Sequence, residues 1–306
     1  MKKLKFIFPV LLITICVATS SYGKWVWNKE MGWIVSTSEA VITLDQRYKY
    51  ALSLLVEQKY LIAIKEFEAI IDTSPNSEYA ESSQINIGWA YFLNSDYKRA
   101  LMAYENALQK YSGSKRTKEI LERVFQLGVA QMDTDEDAAI KVFEKIIEKQ
   151  NLGPLAPDAQ VKIADCYFKR EQYEEALDAY EKFLENYPKN EWIPYVQYQI
   201  PLTKVYHEKQ QERNYGLLIS AREGLEEYLV SNPNGVHTED AKKMIEEIRI
   251  IEAEREFNIG EFYLRRKTPA AAAMYFEYVK TDFPGTIWAE RANERIEFLR
   301  MIEAIK

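Results

Sequence analysis

The sequence predicts an all-α fold, a superhelical solenoid of about five to six helix pairs closed by a C-terminal capping helix, and three observations carry that reading. Glycine and proline are scarce, 11 and 10 in 306 residues, while Ala, Glu, Lys, Leu and Ile abound, which favours long helices over turn-rich sheets. An apolar share of 47% beside 28% charged residues belongs to a chain with a sizeable core. One pattern of small and aromatic residues returns in constant register along the chain, at intervals of about 37 to 51 residues.

The chain opens on Met1, Lys2, Lys3 and Lys5, followed by an apolar run from Phe6 to Ala18 and a small-residue stretch ending Ser21-Tyr22-Gly23. This is the layout of a secretory signal over residues 1–23, with cleavage expected after Gly23 or a few residues earlier. The apolar run falls short of the ~20 residues a membrane span needs, and retention as an anchor is the alternative. Cys16 opens a third route, lipid attachment, but Ile15 is bulky where a small residue is wanted. With the leader removed Cys166 is the remaining cysteine, so no intrachain disulfide is expected and packing must hold the fold. Lys and Arg then fall from 40 to 37 against 47 acids, taking the formal charge from −7 to −10, which argues against nucleic acid or anionic lipid as the main partner.

Residues 24–40 are Trp-rich: Trp25, Trp27 and Trp33 place three of the six tryptophans within nine residues. Alternation around Gly32 predicts a small hairpin or an extended strip. Clustered aromatics seek cover, so docking on the first repeat as a cap is expected, with partner contact and a flexible tether as the other readings.

The recurring pattern is clearest at Ile87-Gly88-Trp89-Ala90-Tyr91, Asp96 to Ala100, Tyr104 and Ala107. It returns as Ile163-Ala164, Tyr167, Tyr173, Ala176, Tyr180, Phe183 and Pro188, and as Gly260, Tyr263, Ala272, Phe276, Val279 and Pro284. The first copy is Ala51, Leu54, Tyr60, Ala63, Phe67, Ile70 and Pro75. Small residues on the first helix (Ala51, Gly88, Ala164, Gly260) and on the second (Ala63, Ala100, Ala176, Ala272) let paired helices approach closely. The aromatic one turn later (Phe67, Tyr104, Tyr180, Phe276) shares a face with the second small residue and fills the space beside it. Pro75, Pro188, Pro233 and Pro284 end each second helix.

These units span about 44–76, 80–113, 156–189 and 238–286. Two degenerate copies complete the array. Residues 117–152 carry Gly128, Ala139, Phe143 and Ile146, with a first half one residue shorter. Residues 193–234 carry Tyr206, Ala221, Leu225, Tyr228 and an apparent insertion through Gln210, Gln211 and Asn214, and Pro201 predicts a kink. The last unit opens on a long helix from about Glu239 to Arg266, Thr268 and Pro269 supply a cap and first turn for its partner, and an amphipathic segment over 287–306 closes the array.

Convergent catalytic groups are missing. His207 and His237 lie 30 residues apart without zinc-type spacing and are expected at the surface. Cys166 sits among core positions and reads as a small buried hydrophobe rather than a reactive thiol. The run Asp133-Thr134-Asp135-Glu136-Asp137 reads as a helix start and lacks calcium-loop spacing. No glycine-rich phosphate loop is present, so neither an enzyme nor a bound cofactor or metal is expected.

In such a solenoid the first helices line the concave face, and their non-core positions are the candidate binding surface. In the first two repeats these are Tyr48, Leu52, Leu55, Ile85, Trp89 and Phe92, apolar for an exposed groove, so either a neighbouring element covers them or they form a peptide groove. Arg255, Arg265, Arg266, Lys267, Arg291, Arg295 and Arg300 make the C-terminal part locally basic: a solvated surface, or an interface for an acidic partner domain, with Arg265, Arg266, Arg291 and Arg295 the candidate contacts.

The pattern resembles tetratricopeptide repeats, and Ala51 to Pro75, Asn76-Ser77-Glu78-Tyr79-Ala80, Ala253 to Arg266, Ala271-Ala272-Ala273 and Phe283-Pro284-Gly285-Thr286 are similar to the BamD (YfiO) family of outer-membrane protein assembly factors over about residues 40 to 300. The resemblance implies a periplasmic scaffold on the inner side of the outer membrane that binds the barrel-forming BamA and the C-terminal signals of unfolded barrel clients. By matching position it implies Tyr48, Leu52, Ile85, Trp89 and Phe92 for clients and Arg265, Arg266 and Arg291 for the partner. The family's members are typically lipoproteins, and Ile15 before Cys16 departs from that pattern, so attachment through protein partners is expected. Tetratricopeptide domains that clamp chaperone tails need a Lys and an Asn where this chain has Tyr48 and Leu52. The other adaptor reading is a general periplasmic one for envelope or cell-wall complexes.

Overall fold

The computed structural model describes residues 24–28, 32–36, 43–151, 153–211 and 215–302. The expected leader over 1–23, Cys16 included, lies outside them, as do residues 212–214 of the expected insertion. A hairpin comes first, β1 (Lys24–Asn28) paired antiparallel with β2 (Gly32–Ser36) in the register Trp27 opposite Trp33. The cap, partner-contact and tether readings of this segment rest on side chains outside the described residues.

Thirteen helices follow among the described residues: α1 (Leu44–Val56), α2 (Tyr60–Thr73), α3 (Glu78–Leu93), α4 (Tyr97–Lys110), α5 (Thr117–Gln131), α6 (Glu136–Lys149), α7 (Ala156–Lys169), α8 (Tyr173–Asn186), α9 (Ile193–Gln211), α10 (Tyr215–Ser231), α11 (Thr238–Arg265), α12 (Pro269–Asp282) and α13 (Ile287–Met301). Each packs on its neighbours in sequence, which is the arrangement of an all-α tetratricopeptide solenoid. Its core is correspondingly linear. Buried clusters follow one another from α1–α4, through α3–α9 and α9–α11, to α11–α13.

The small positions work through the aromatics. A Cβ added to Gly88 would meet the Tyr104 ring at 2.5 Å, one on Gly128 the Phe143 ring at 2.7 Å, and one on Gly260 the Phe276 ring at 2.6 Å. In these three pairs the second helix thus lays its ring directly on the bare backbone of the first. Tyr104, Phe143 and Phe276 are all fully buried.

The turn inside a pair also repeats. Gln58, Ser95, Glu171 and Lys267 adopt φ near +60°, and the next amide closes a six-residue ring, as in Lys59 N to Leu54 O (2.8 Å) and Asp96 N to Tyr91 O (2.9 Å). Glycine would suit this left-handed position best, yet none of the four is glycine. The α5–α6 turn, four residues long where the others have three, closes differently, Asp135 N donating to Gln131 O at 2.8 Å. Asp135 then caps α6 by accepting from Ala138 N, as the acidic run implies.

One local expectation changes. Thr268 precedes α12, but its hydroxyl donates back to Tyr263 O at 2.9 Å instead of capping the helix, because the tight turn brings that carbonyl closer. Pro201 lies within α9, which runs through it to Gln211, and it packs against α10 at Gly224.

Candidate functional site: the inner ridge

Helices α1 and α3, α3 and α5, and α11 and α13 approach each other directly, whereas no pair of even-numbered helices among the described residues comes comparably close. The odd-numbered helices therefore form the inner side of the curve, and their outward-turned residues make its inner ridge.

At the N-terminal end this ridge is aromatic. Tyr48 of α1 lies edge-on to Phe67 (5.8 Å between centroids) and beside Tyr79 (5.2 Å), and its hydroxyl accepts from Asn86 Nδ2 at 2.9 Å. Leu52 and Leu55 are half-buried against the α1–α4 core. On α3 the rings of Trp89 and Phe92 stack at 5.0 Å with 12° between planes, and the Arg123 guanidinium of α5 rests 4.1 Å from the centre of the Trp89 ring. Five of the six predicted groove residues are thus half-exposed. Ile85 is not: it is 1% exposed in the α3–α9 core with Tyr104, Ile120 and Val124, because α5 closes over it.

In the middle repeats the ridge turns polar. Asp165 stands at the Trp89 position two repeats on; its carboxylate accepts from the hydroxyls of Tyr180 (2.8 Å) and Tyr195 (2.9 Å) and from Lys162 Nζ (2.8 Å). Burial, then the adjacent Asp165 carboxylate, drives both tyrosine pKa values well above the ordinary one. Lys162 also lies over Trp192, whose Nε1 donates to Asp158 at 2.7 Å. Arg123, Lys162, Asp165 and Trp192 were missed from sequence, although a carboxylate at an otherwise apolar repeat position is a signal that an alignment of the repeats contains.

The histidines are not the surface residues expected. His237 stacks on Tyr198 at 4.2 Å and 5°, and His207 is half-buried beside Tyr173, because both fall where aromatic residues of α8 and α9 offer cover. Cys166 is fully buried, and burial pushes its thiol up to about 12. It should therefore resist alkylation at pH 8 in the folded protein and react only after unfolding, as the mass increase with a maleimide would record. Among the described residues no group of three or more His, Cys, Asp or Glu could hold a metal ion, and no helix is long and apolar enough to cross a membrane.

At the C-terminal end Arg265, the last residue of α11, and Arg266 just after it are exposed, Arg266 lying over Phe262 at 5.6 Å. Arg291 lies 4.7 Å over Trp288. Arg295 is tied to Glu261 at 2.7 Å and Arg300 to Glu277 at 3.1 Å, so these two charges are already answered within the chain.

The family model for YfiO, described as an outer membrane lipoprotein, matches residues 42–138 and 121–301. The chain is 28% identical over 152 residues to outer membrane protein assembly factor BamD of Xylella fastidiosa (strain 9a5c), covering 46% of this chain and 52% of that protein. With the BamD of Rickettsia prowazekii (strain Madrid E) it shares 27% over 158 residues, 52% of this chain and 63% of that one. The chain thus spans about half to two thirds of the length of these relatives. Among solved structures, the C-terminal part of a TPR repeat-containing protein from Cytophaga hutchinsonii superposes with a TM-score of 0.44 at 16% identity, covering 83% of this chain and 89% of that one. The family match runs from the first helix of the solenoid to the last, and the chain belongs to the YfiO family of outer membrane lipoproteins.

Proposed function

We propose that this protein is a non-enzymatic periplasmic scaffold of outer-membrane β-barrel assembly, held at the inner face of the outer membrane. It receives the C-terminal signals of unfolded barrel clients on the inner ridge of its first two repeats and a BamA-type barrel assembly protein on its C-terminal repeats. The observation that carries this reading is the half-exposed surface of Tyr48, Leu52, Leu55, Trp89 and Phe92 with Arg123 against its edge. A barrel strand has unpaired backbone edges and apolar side chains until the barrel closes, and an aromatic ridge holds such a segment meanwhile. Arg123 supplies a cation beside the ring stack, where a client's terminal carboxylate would lie next to its last aromatic side chain. The relatives' name, outer membrane protein assembly factor, supports the same role. On the C-terminal repeats Arg265, Arg266 and Arg291 are the proposed partner contacts, and Arg295 contributes less because Glu261 holds it.

Fluorescence anisotropy with a labelled peptide ending in an aromatic residue tests the client end. Saturable binding is expected, Trp89→Ala should weaken it at least about tenfold, and Arg123→Ala should weaken the free-acid peptide more than its amide. Arg266→Glu should weaken capture of the partner's periplasmic domains while leaving peptide binding unchanged. Absence of both interactions, with cell-wall enzymes dominating a crosslinked pull-down instead, would replace this reading with a general envelope adaptor.

A further inference from the structure

Two clefts away from the inner ridge repeat each other. The first, of about 590 Å³, lies between α2, α3 and α4, and the second, of about 330 Å³, between α6, α7 and α8. Glu68, Gln84, Tyr91 and Ala103 of the first correspond, 76 residues on, to Glu144, Gln160, Tyr167 and Ala179 of the second.

In each cleft the glutamine is fixed in the same way. Gln84 Nε2 donates to Ala103 O at 3.2 Å and Gln160 Nε2 to Ala179 O at 3.1 Å. A carbonyl can only accept, so the amide orientation is settled, and among the described residues no donor reaches either Oε1. Gln160 is only 9% exposed, so its amide is held in a largely buried frame beside the opening. Glu68 and Asp72 line the first cleft and Glu144, Glu175 and Asp178 the second, and among the described residues none of the five enters a salt bridge. Each cleft also holds one cation of its own. Arg99 is engaged with Asp96 at 3.2 Å and lies over Tyr91, and Lys182 stands at the second. Both clefts keep a net negative charge.

The intervening repeat lacks this arrangement. Val124 replaces the glutamine, Val142 replaces the alanine and fills the space, and Glu105 is taken by Lys145 at 3.8 Å. The acceptor, the carboxylates and the opening thus occur together twice and disappear together once.

We propose that the two clefts take two cationic side chains, arginine or lysine, of one elongated protein partner. The acidic rim attracts each cation and the glutamine Oε1 accepts one of its N–H groups, with the Tyr167 ring beside the second cation and the Tyr91 ring in the first cleft already covered by Arg99. With roughly 10 Å added per repeat the clefts lie about 20 Å apart, and an extended chain rising about 3.3 Å per residue spans that in about six residues. The fitting segment therefore carries basic residues about six positions apart.

The test uses the protein without its leader and labelled Gly/Ser peptides carrying two arginines six residues apart, two arginines adjacent, or one. Linked occupancy should make the six-spaced peptide bind at least tenfold tighter than the other two, and Asp178→Lys should reduce it to the single-arginine affinity. Asp72→Lys with Asp178→Lys should abolish binding. Both positions are exposed, so unchanged helicity and melting temperature are expected and will separate lost binding from lost fold. Equal affinity for all three peptides, no binding, or binding indifferent to the charge reversals would overturn the proposal. Trp89→Ala, which removes the client surface, should leave this binding unchanged, so the two readings fail separately.

Discussion

Replacing Phe143 with alanine is expected to lower the unfolding free energy by about 3–5 kcal/mol, enough to abolish the folded state of a marginal domain. The ring is fully buried, lies on Gly128 and meets Phe125 at 5.4 Å, so little around it can collapse into the vacated space. The loss is felt beyond its own pair, because each repeat of a solenoid is held chiefly by its neighbours. A companion variant isolates the cause. Gly128→Ala in an ordinary helix interior would stabilise by up to about 1 kcal/mol, but here its Cβ would sit 2.7 Å from the ring, and a loss of about 1–3 kcal/mol is expected instead. In the Phe143→Ala background the ring is gone, and Gly128→Ala should revert to stabilising. Urea unfolding followed by circular dichroism measures all four proteins. If Gly128→Ala costs the same with and without the ring, the contact is not what selects glycine.

The same contact explains how much of the fold was legible in the sequence. Glycine or alanine on one helix and an aromatic one turn after an alanine on the next are two halves of one steric fact, so their recurrence in register reported the helix pairs and their order. The prolines two residues beyond α2, α8, α10 and α12 marked the stops for an equally local reason. The left-handed turn residues were not legible, because Gln58, Ser95, Glu171 and Lys267 are held there by the bonds of the turn and share no side-chain chemistry.

The site was legible in part, again for a physical reason. Position within a repeat says which way a side chain faces along its own helix, which sufficed for Trp89 and Phe92. It does not say how far the next repeat leans over it, which is what buries Ile85, nor which long side chains reach across, as Arg123 does to Trp89 and Lys162 to Trp192. The basic C-terminal residues show the same limit. Their clustering was visible, but that Glu261 and Glu277 neutralise Arg295 and Arg300 depends on contacts between helices far apart in sequence.

Breaking the ion pair between α10 and α11 should be the other large perturbation. Arg222 Nε lies 3.1 Å from Glu252, which is 7% exposed, and Arg222 also bonds the exposed Glu226 at 2.9 Å. Burial raises the Glu252 pKa above its usual value, and Arg222 opposes that rise without cancelling it. Arg222→Met leaves the carboxylate buried without its main partner. The expected cost is about 3 kcal/mol, at the low end for a buried pair because Arg222 keeps some contact with water. The pH dependence identifies the mechanism. A carboxylate whose folded pKa is raised contributes stability in its protonated form, fully present below the unfolded value of 4.5 and lost as pH rises through the folded pKa. Removing Arg222 raises that folded pKa further. The gap in stability between wild type and Arg222→Met should therefore be small near pH 4.5, where the unpartnered Glu252 takes up a proton, and full at pH 7.5. Arg222→Met with Glu252→Leu, which removes both charges, should recover most of the loss at neutral pH and flatten the difference. An Arg222→Met penalty that is the same at both pH values would mean that lost packing of the arginine stem, and not a stranded carboxylate, links the middle of the solenoid to its C-terminal repeats.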